Sequence, residues 1–159
     1  MSTVGFRQHD HAHCVHTALS QAENKCRTKR LQFTTVRRRV LEILLEKHRA
    51  MGAYDILAVL AAEGLGSQPP VAYRALDFLV QNGFVHRIEQ LNAYTACAHP
   101  THDHVPAFLI CRSCKAVAET ETELTQGRLG AAANTSGFQI ERVVVEAEGL
   151  CPECVGSAA

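Results

Sequence analysis

Two short cysteine pairs, Cys111-Arg112-Ser113-Cys114 and Cys151-Pro152-Glu153-Cys154, are the residues of this chain whose type and spacing speak most directly of chemistry. Each C-x-x-C turn presents two sulfurs to one point, and two such turns complete the four-thiolate tetrahedron that structural zinc prefers. The 36 residues between the pairs exceed the spacing of a compact zinc ribbon. An ion held this way would therefore clamp two ends of a domain instead of shaping one loop. A closed four-sulfur shell leaves no position for water or substrate, so the site reads as structural. A redox dithiol is the alternative, with less to recommend it for two pairs than for one.

A second set of donors is spread more widely: His86, Cys97, His99, His102, Asp103, His104 and Glu119. Histidines in a solvated loop that hold no metal are the plain alternative. Against it stands the origin of these residues in three separate segments, so that one ion would staple all three.

Composition sets the context for that chemistry. The chain has 159 residues, 47% apolar and 20% charged, enough for one or two small cores. No apolar run approaches the length of a membrane span, and the first thirty residues carry histidines and charges where a secretory signal needs apolar residues. A reducing, cytoplasmic compartment is expected, in which seven cysteines are better spent on metal than on disulfides. The formal net charge of zero hides an asymmetry: residues 1–90 hold 12 Lys and Arg against 8 Asp and Glu, whereas residues 91–159 hold 4 against 8. Arg27, Lys29, Arg30, Arg37, Arg38 and Arg39 crowd into thirteen residues, dense enough to face phosphates, although such a run also suits a solvated helix face.

The elements that must position these residues follow from periodicity. Residues 1–14, with His9, His11, His13 and Cys14, read as a loose polar tail, and a helix is expected from about Val15 to Arg30. Thr34 and Thr35 offer a hydroxyl cap to a second helix, in which Val40, Leu41, Ile43, Leu44 and Leu45 recur and which Gly52 closes. A third helix runs from about Tyr54 to Leu60, and a fourth from Pro70 to Asn82, ended by Gly83. On the fourth, Tyr73, Arg74, Asp77 and Gln81 share a polar arc of roughly 100° while the rest is apolar. Two strands, Phe84 to Glu89 and Ala93 to Ala96, flank a turn at Leu91-Asn92. Helices followed by a β-hairpin predict a winged helix-turn-helix, in which Arg74 would offer two donors to a guanine edge in the major groove. A helical domain with an exposed polar stripe fits the same periodicity. Residues 97–106, with two prolines, predict a hinge. Beyond it, strands at Ala107 to Ile110 and Ala116 to Ala118, a helix at Glu121 to Ala133 and a strand at Phe138 to Glu146 predict a small α/β domain.

The runs Ala53-Tyr54-Asp55-Ile56-Leu57, Pro69-Pro70-Val71-Ala72-Tyr73-Arg74-Ala75-Leu76-Asp77-Phe78-Leu79 and Gly83-Phe84-Val85-His86 resemble the ferric uptake regulator family, and in particular its zinc-responsive members. The likeness continues through Phe108 to Val117 around the first cysteine pair and through Glu146 to Cys154 around the second. It implies a winged-helix DNA-binding domain and a dimerisation domain with the four-cysteine zinc, which the pattern along the chain bounds at 15–96 and 107–155 on either side of the hinge (97–106); the flexible histidine-rich tail (1–14) lies outside the likeness. It also implies a non-enzymatic homodimer that represses zinc uptake genes, with two Zn²⁺ per subunit. Cys111, Cys114, Cys151 and Cys154 match the family's structural zinc position, and His86, Cys97, His104 and Glu119 match its regulatory one. Tyr54 and Arg74 match positions that contact bases, with Tyr73 beside them. Lys115 departs from a common glycine, Ala72 from a threonine and Thr35 from a helix-opening proline. An iron- or peroxide-sensing regulator on the same fold is the nearest alternative, disfavoured by a cysteine at 97. A zinc enzyme is the more distant one, because it would need an open ligand position and a placed acid or base.

Overall fold

The computed structural model describes residue 6 and residues 11–47, 49–101, 103–122 and 127–157. The chain divides into two compact units, Arg7–His102 and one built on Asp103–Ala159.

The first unit consists of helices α1 (His11–Thr28), α2 (Thr35–Lys47), α3 (Ala53–Ala62) and α4 (Pro69–Gln81), then a hairpin of β1 (Val85–Ile88) and β2 (Ala93–Ala96). The apolar residues that recur along α2 are buried, Val40, Ile43 and Leu44 at 1% exposure or less. They meet Ile56 and Leu60 from α3, Leu76 and Leu79 from α4, and Val85 from the hairpin in one core. Burial of several large aliphatic side chains, each contributing about 1.5–3 kcal/mol, is what holds the four helices together. α1 starts at His11, four residues before the expected Val15, so His11 to Cys14 belong to a helix and not to the tail; His9 lies outside the described residues. The helix is anchored by its own stripe, with Leu19, Ala22 and Cys26 buried and Val15 and Ala18 packed against the core.

Helix ends follow from backbone chemistry. Gly52 does not close α2, which ends at Lys47; it is the N-cap of α3, in extended conformation. Gly83, at φ +75°, follows the end of α4, where its N–H reaches the Val80 carbonyl and the Phe84 N–H reaches that of Leu79 at 2.9 Å. This left-handed turn satisfies two carbonyls that a helix end would otherwise leave bare. Before α4, a Cβ on Gly66 would lie 2.9 Å from a Val71 methyl, so only glycine fits the turn into that helix. The hairpin register pairs His86 with Thr95, and Asn92 turns it at φ +45°. Met51 and Tyr94 add a bridge that the periodicity did not foretell, exchanging both backbone hydrogen bonds.

The second unit holds β3 (Pro106–Cys111), β4 (Val117–Glu121), α5 (Arg128–Ser136), β5 (Val145–Gly149) and α6 (Pro152–Ser157), with strand order β4-β3-β5. Two expectations need correction. The helix placed at Glu121 to Ala133 begins only at Arg128, because the chain through Glu121 is paired with β3, down to Glu121 opposite Pro106. The strand placed at Phe138 to Glu146 is instead Val145–Gly149: β3 takes it as its parallel partner with Cys111 opposite Gly149. Phe138 and Val144, outside the strand, are 67% and 46% exposed.

Candidate metal centres and DNA-facing surface

The sheet register brings the two cysteine pairs together. Cys111 ends β3 opposite Gly149 of β5, so Cys151, two residues further, arrives beside it; Cys154 follows in α6 and Cys114 in the turn after β3. The four sulfurs all lie within 4.8 Å of one another. Cys114 Sγ and Cys151 Sγ are 3.7 Å apart, and the Cys151 backbone N–H donates to Cys111 Sγ at 3.4 Å. The turn is closed by Lys115, whose N–H reaches the Cys111 carbonyl at 2.9 Å and whose φ is +62°. This left-handed backbone gives the physical reason a glycine is common at that position.

Backbone N–H groups of Cys114 and Cys151 aimed at its sulfur hold the Cys111 thiol down at about 6, so it is a thiolate at neutral pH. The side chain of Cys151, foremost among its sulfur neighbours, pushes Cys154 up to about 12, since a second negative sulfur in the same pocket is costly. Four sulfurs gathered this closely are the donor set that a tetrahedral zinc site uses.

The other expected ligands fall as two pairs, one in each unit. In the first unit His86 sits on β1 of the hairpin, and Cys97 follows β2 with its N–H bonded to the Phe84 carbonyl at 2.9 Å. Cys97 is 5% exposed, and its sulfur accepts the His99 backbone N–H at 3.3 Å. In the second unit His104 Nε2 meets Glu119 Oε1 of β4 at 2.7 Å. Glu119 is 4% exposed, the one charged residue counted in the buried core among the described residues. Asp103 is exposed, and His102 lies outside the described residues.

On α4, Tyr73, Arg74, Asp77 and Gln81 are all exposed, the arc that periodicity drew, while Ala72, Ala75, Leu76 and Leu79 are buried. Tyr54, in the first turn of α3, is 68% exposed. An exposed aromatic next in sequence to an exposed arginine, as Tyr73 is to Arg74, suits contact with a partner. Ala72 is 1% exposed, so the position of the missing threonine lies against the core and not in solvent.

The crowded arginines of α2 are differently engaged. Arg39 is shared among Glu42, Glu46 and Glu63, with two 2.8 Å bonds to Glu63. Arg38 pairs with Glu23 and Glu42, and the Arg37 guanidinium stacks 3.8 Å from the Phe78 ring centre. Much of this charge is neutralised within the unit. The spacing of Glu42 and Glu46 after Arg38 and Arg39 was the available signal. Sequence reasoning also missed Lys25, whose ammonium bonds the carbonyls of Asn82 and Pro100.

The ferric uptake regulator family model matches residues 28–148. The zinc uptake regulation protein of Escherichia coli (strain K12) is 39% identical over 140 residues, covering 86% of this chain and 81% of that protein, and that of Shigella flexneri matches equally. Among solved structures, a zinc uptake regulator complexed with zinc and DNA superposes with a TM-score of 0.86 at 36% identity, covering 91% of this chain and 97% of the other. Holo XcZur gives 0.79 at 35% identity, with 88% and 98% covered. With a winged helix, a paired-cysteine sheet unit and a family match across most of its length, the chain belongs to the ferric uptake regulator family.

Proposed function

We propose that this chain is a zinc-responsive transcriptional repressor of zinc uptake genes: a cytoplasmic homodimer, without catalytic activity, that binds palindromic operator DNA when a regulatory zinc site is filled. The observation that carries this reading is the similarity to a zinc uptake regulator bound to zinc and DNA over 91% of the chain. No helix among the described residues is long and apolar enough to cross a membrane.

Two zinc ions serve each subunit in this reading. The structural ion takes Cys111, Cys114, Cys151 and Cys154, supported by their mutual approach within 4.8 Å. The regulatory ion takes His86 and Cys97 from one unit and His104 and Glu119 from the other, supported by the burial of Cys97 and Glu119 and by the His104–Glu119 contact. One thiolate and one carboxylate neutralise Zn²⁺, and two imidazoles complete a tetrahedron. An ion ligated from both units ties them into one arrangement, the one in which both recognition helices α4 of the dimer reach their half-sites. Zinc acts by binding that arrangement better; a full switch from mostly open to mostly closed takes about 5.5 kcal/mol of differential binding. At the DNA, Arg74 reads a guanine edge, with Tyr54 and Tyr73 beside it.

Binding to a candidate operator fragment, followed as free zinc is buffered upward with ferrous iron and manganese in parallel, tests the reading. Zinc is expected to act at the lowest free concentration. Operator binding driven by iron or manganese and not by zinc would replace the reading with the iron- or peroxide-sensing one.

A further inference from the structure

Lys25 joins two segments whose roles differ. Its ammonium donates to the carbonyl oxygen of Asn82 at 2.9 Å and to that of Pro100 at 3.2 Å, and it lies 5.1 Å from the centre of the Phe84 ring. Asn82 is the C-cap of α4, so its carbonyl belongs to the negative end of the recognition helix, where a cation is favourable. Pro100 belongs to the stretch after β2 that carries Cys97, three residues upstream. Phe84 closes the loop, because its own carbonyl accepts the Cys97 N–H at 2.9 Å. One half-buried ammonium thus holds the end of the DNA-reading helix to the strand exit that bears the proposed sensing thiolate, all within one unit.

An ammonium has three donors and no acceptor, so sharing it between two carbonyls limits how far apart they can move. When Cys97 is held by an ion, the stretch to Pro100 loses freedom, and the carbonyl that Lys25 needs becomes a fixed point. We propose that Lys25 is the positioning residue that couples metal occupancy at Cys97 to the C-terminal end of α4, and so to operator affinity. This inference rests on the regulatory reading of Cys97 given above. Coupling of this kind is reciprocal: whatever factor zinc adds to operator affinity, operator must add to zinc affinity.

The test uses the full-length dimer with its structural zinc retained. Lys25→Met keeps the apolar stem and removes the ammonium, while Lys25→Arg keeps a cationic donor. Operator affinity is measured at low and at saturating buffered zinc, and regulatory zinc affinity with and without operator. Lys25→Met is expected to shrink the zinc-induced gain about tenfold, within the usual range of allosteric coupling, with low-zinc affinity unchanged. The operator-induced gain in zinc affinity should shrink by the same factor, and Lys25→Arg should keep most of both. Amide exchange at Gly83 and Phe84 of the unsubstituted protein supplies a second readout, expected to slow on zinc binding. A full zinc-induced gain in Lys25→Met, equal losses at low and saturating zinc, or exchange unmoved by zinc would each overturn the proposal. If Cys97→Ser kept the full zinc gain, the regulatory reading would fail and this inference with it. A normal zinc response that needs Cys97 but not Lys25 would sink only the coupling role.

Discussion

His104 Nε2 lies 2.7 Å from Glu119 Oε1, with the two side chains only 7% and 4% exposed. A carboxylate so buried is costly unless it is paired or holds a cation, and here it faces a nitrogen that is itself a preferred zinc donor. Two donors of the proposed regulatory set are therefore held side by side within one unit. Glu119→Gln keeps the shape and removes the charge. It should weaken regulatory zinc by at least the roughly tenfold cost of disturbing a metal site's supporting group, read by competition with a chelator, while the four-cysteine zinc stays. Unaltered regulatory affinity would remove Glu119 from the set.

The four-cysteine site makes a prediction in protons. The Cys111 thiol is lowered to about 6 from its ordinary value near 9, so in the metal-free fold its thiolate contributes stability that is fully present above about pH 9 and lost as pH falls through 6. Zinc loading at about pH 7.5 should release almost no proton from Cys111, whereas at about pH 5.5 it should release most of one more. Calorimetry in two buffers of different ionisation enthalpy, in a Cys97→Ser background that removes the other ion's thiolate, measures the difference. Equal release at both values would mean that the backbone donors do not hold Cys111 ionised. Cys114→Ser should go further and leave the second unit poorly folded, because metal-linked energy is folding energy there.

Lys115 carries the left-handed backbone at the end of the first cysteine turn, φ +62°. A side chain in that region costs about 1–2 kcal/mol relative to glycine. Allowing for glycine's greater freedom when unfolded, Lys115→Gly should stabilise the protein by about 0.5–1 kcal/mol at unchanged zinc content, read from denaturant midpoints. A loss of stability would show that the lysine makes a compensating contact.

Arg74 and Arg38 should separate base reading from general charge. Arg74→Ala is expected to cost about 1–3 kcal/mol on the operator and to relax preference at one base pair per half-site. Arg38, paired with Glu23 and Glu42, has little charge to spare for phosphates, so Arg38→Ala should change operator and random DNA affinity little and leave the salt dependence nearly intact. Quantitative footprints over a salt series decide; a steep fall in salt dependence for Arg38→Ala would restore it as a phosphate contact.

Much of this was legible in the sequence, for physical reasons that can be named. The helices of the first unit are amphipathic, so the burial of Val40, Leu44, Leu76 and Leu79 and the exposure of Tyr73 and Arg74 follow from a 3.6-residue period. The paired cysteines carried their own spacing. The second unit was harder, because strand pairing is non-local: nothing between Thr120 and Val145 says that Glu121 will pair with Pro106 or that β3 will take Val145 as its partner opposite Ala107. The valines at 143–145 read as one long strand, yet only the last is in it. Arg39 shows the opposite failure: the glutamates on its own helix could be read from spacing, but nothing local to the basic run reveals Glu63, 24 residues on, which bonds it twice.

Cys97 carries the central claim, as the one thiolate in the proposed regulatory set and the donor that suits zinc over iron. The direct measurement is zinc content per subunit together with operator affinity as free zinc is buffered upward, for the unsubstituted protein and for Cys97→Ser. The account predicts two zinc ions against one, with the fold and the four-cysteine zinc kept in the variant and its zinc-dependent operator binding lost at low free zinc. A Cys97→Ser protein whose operator binding followed zinc unchanged would contradict it, and sensing would then have to be sought among His99, His102 and Asp103.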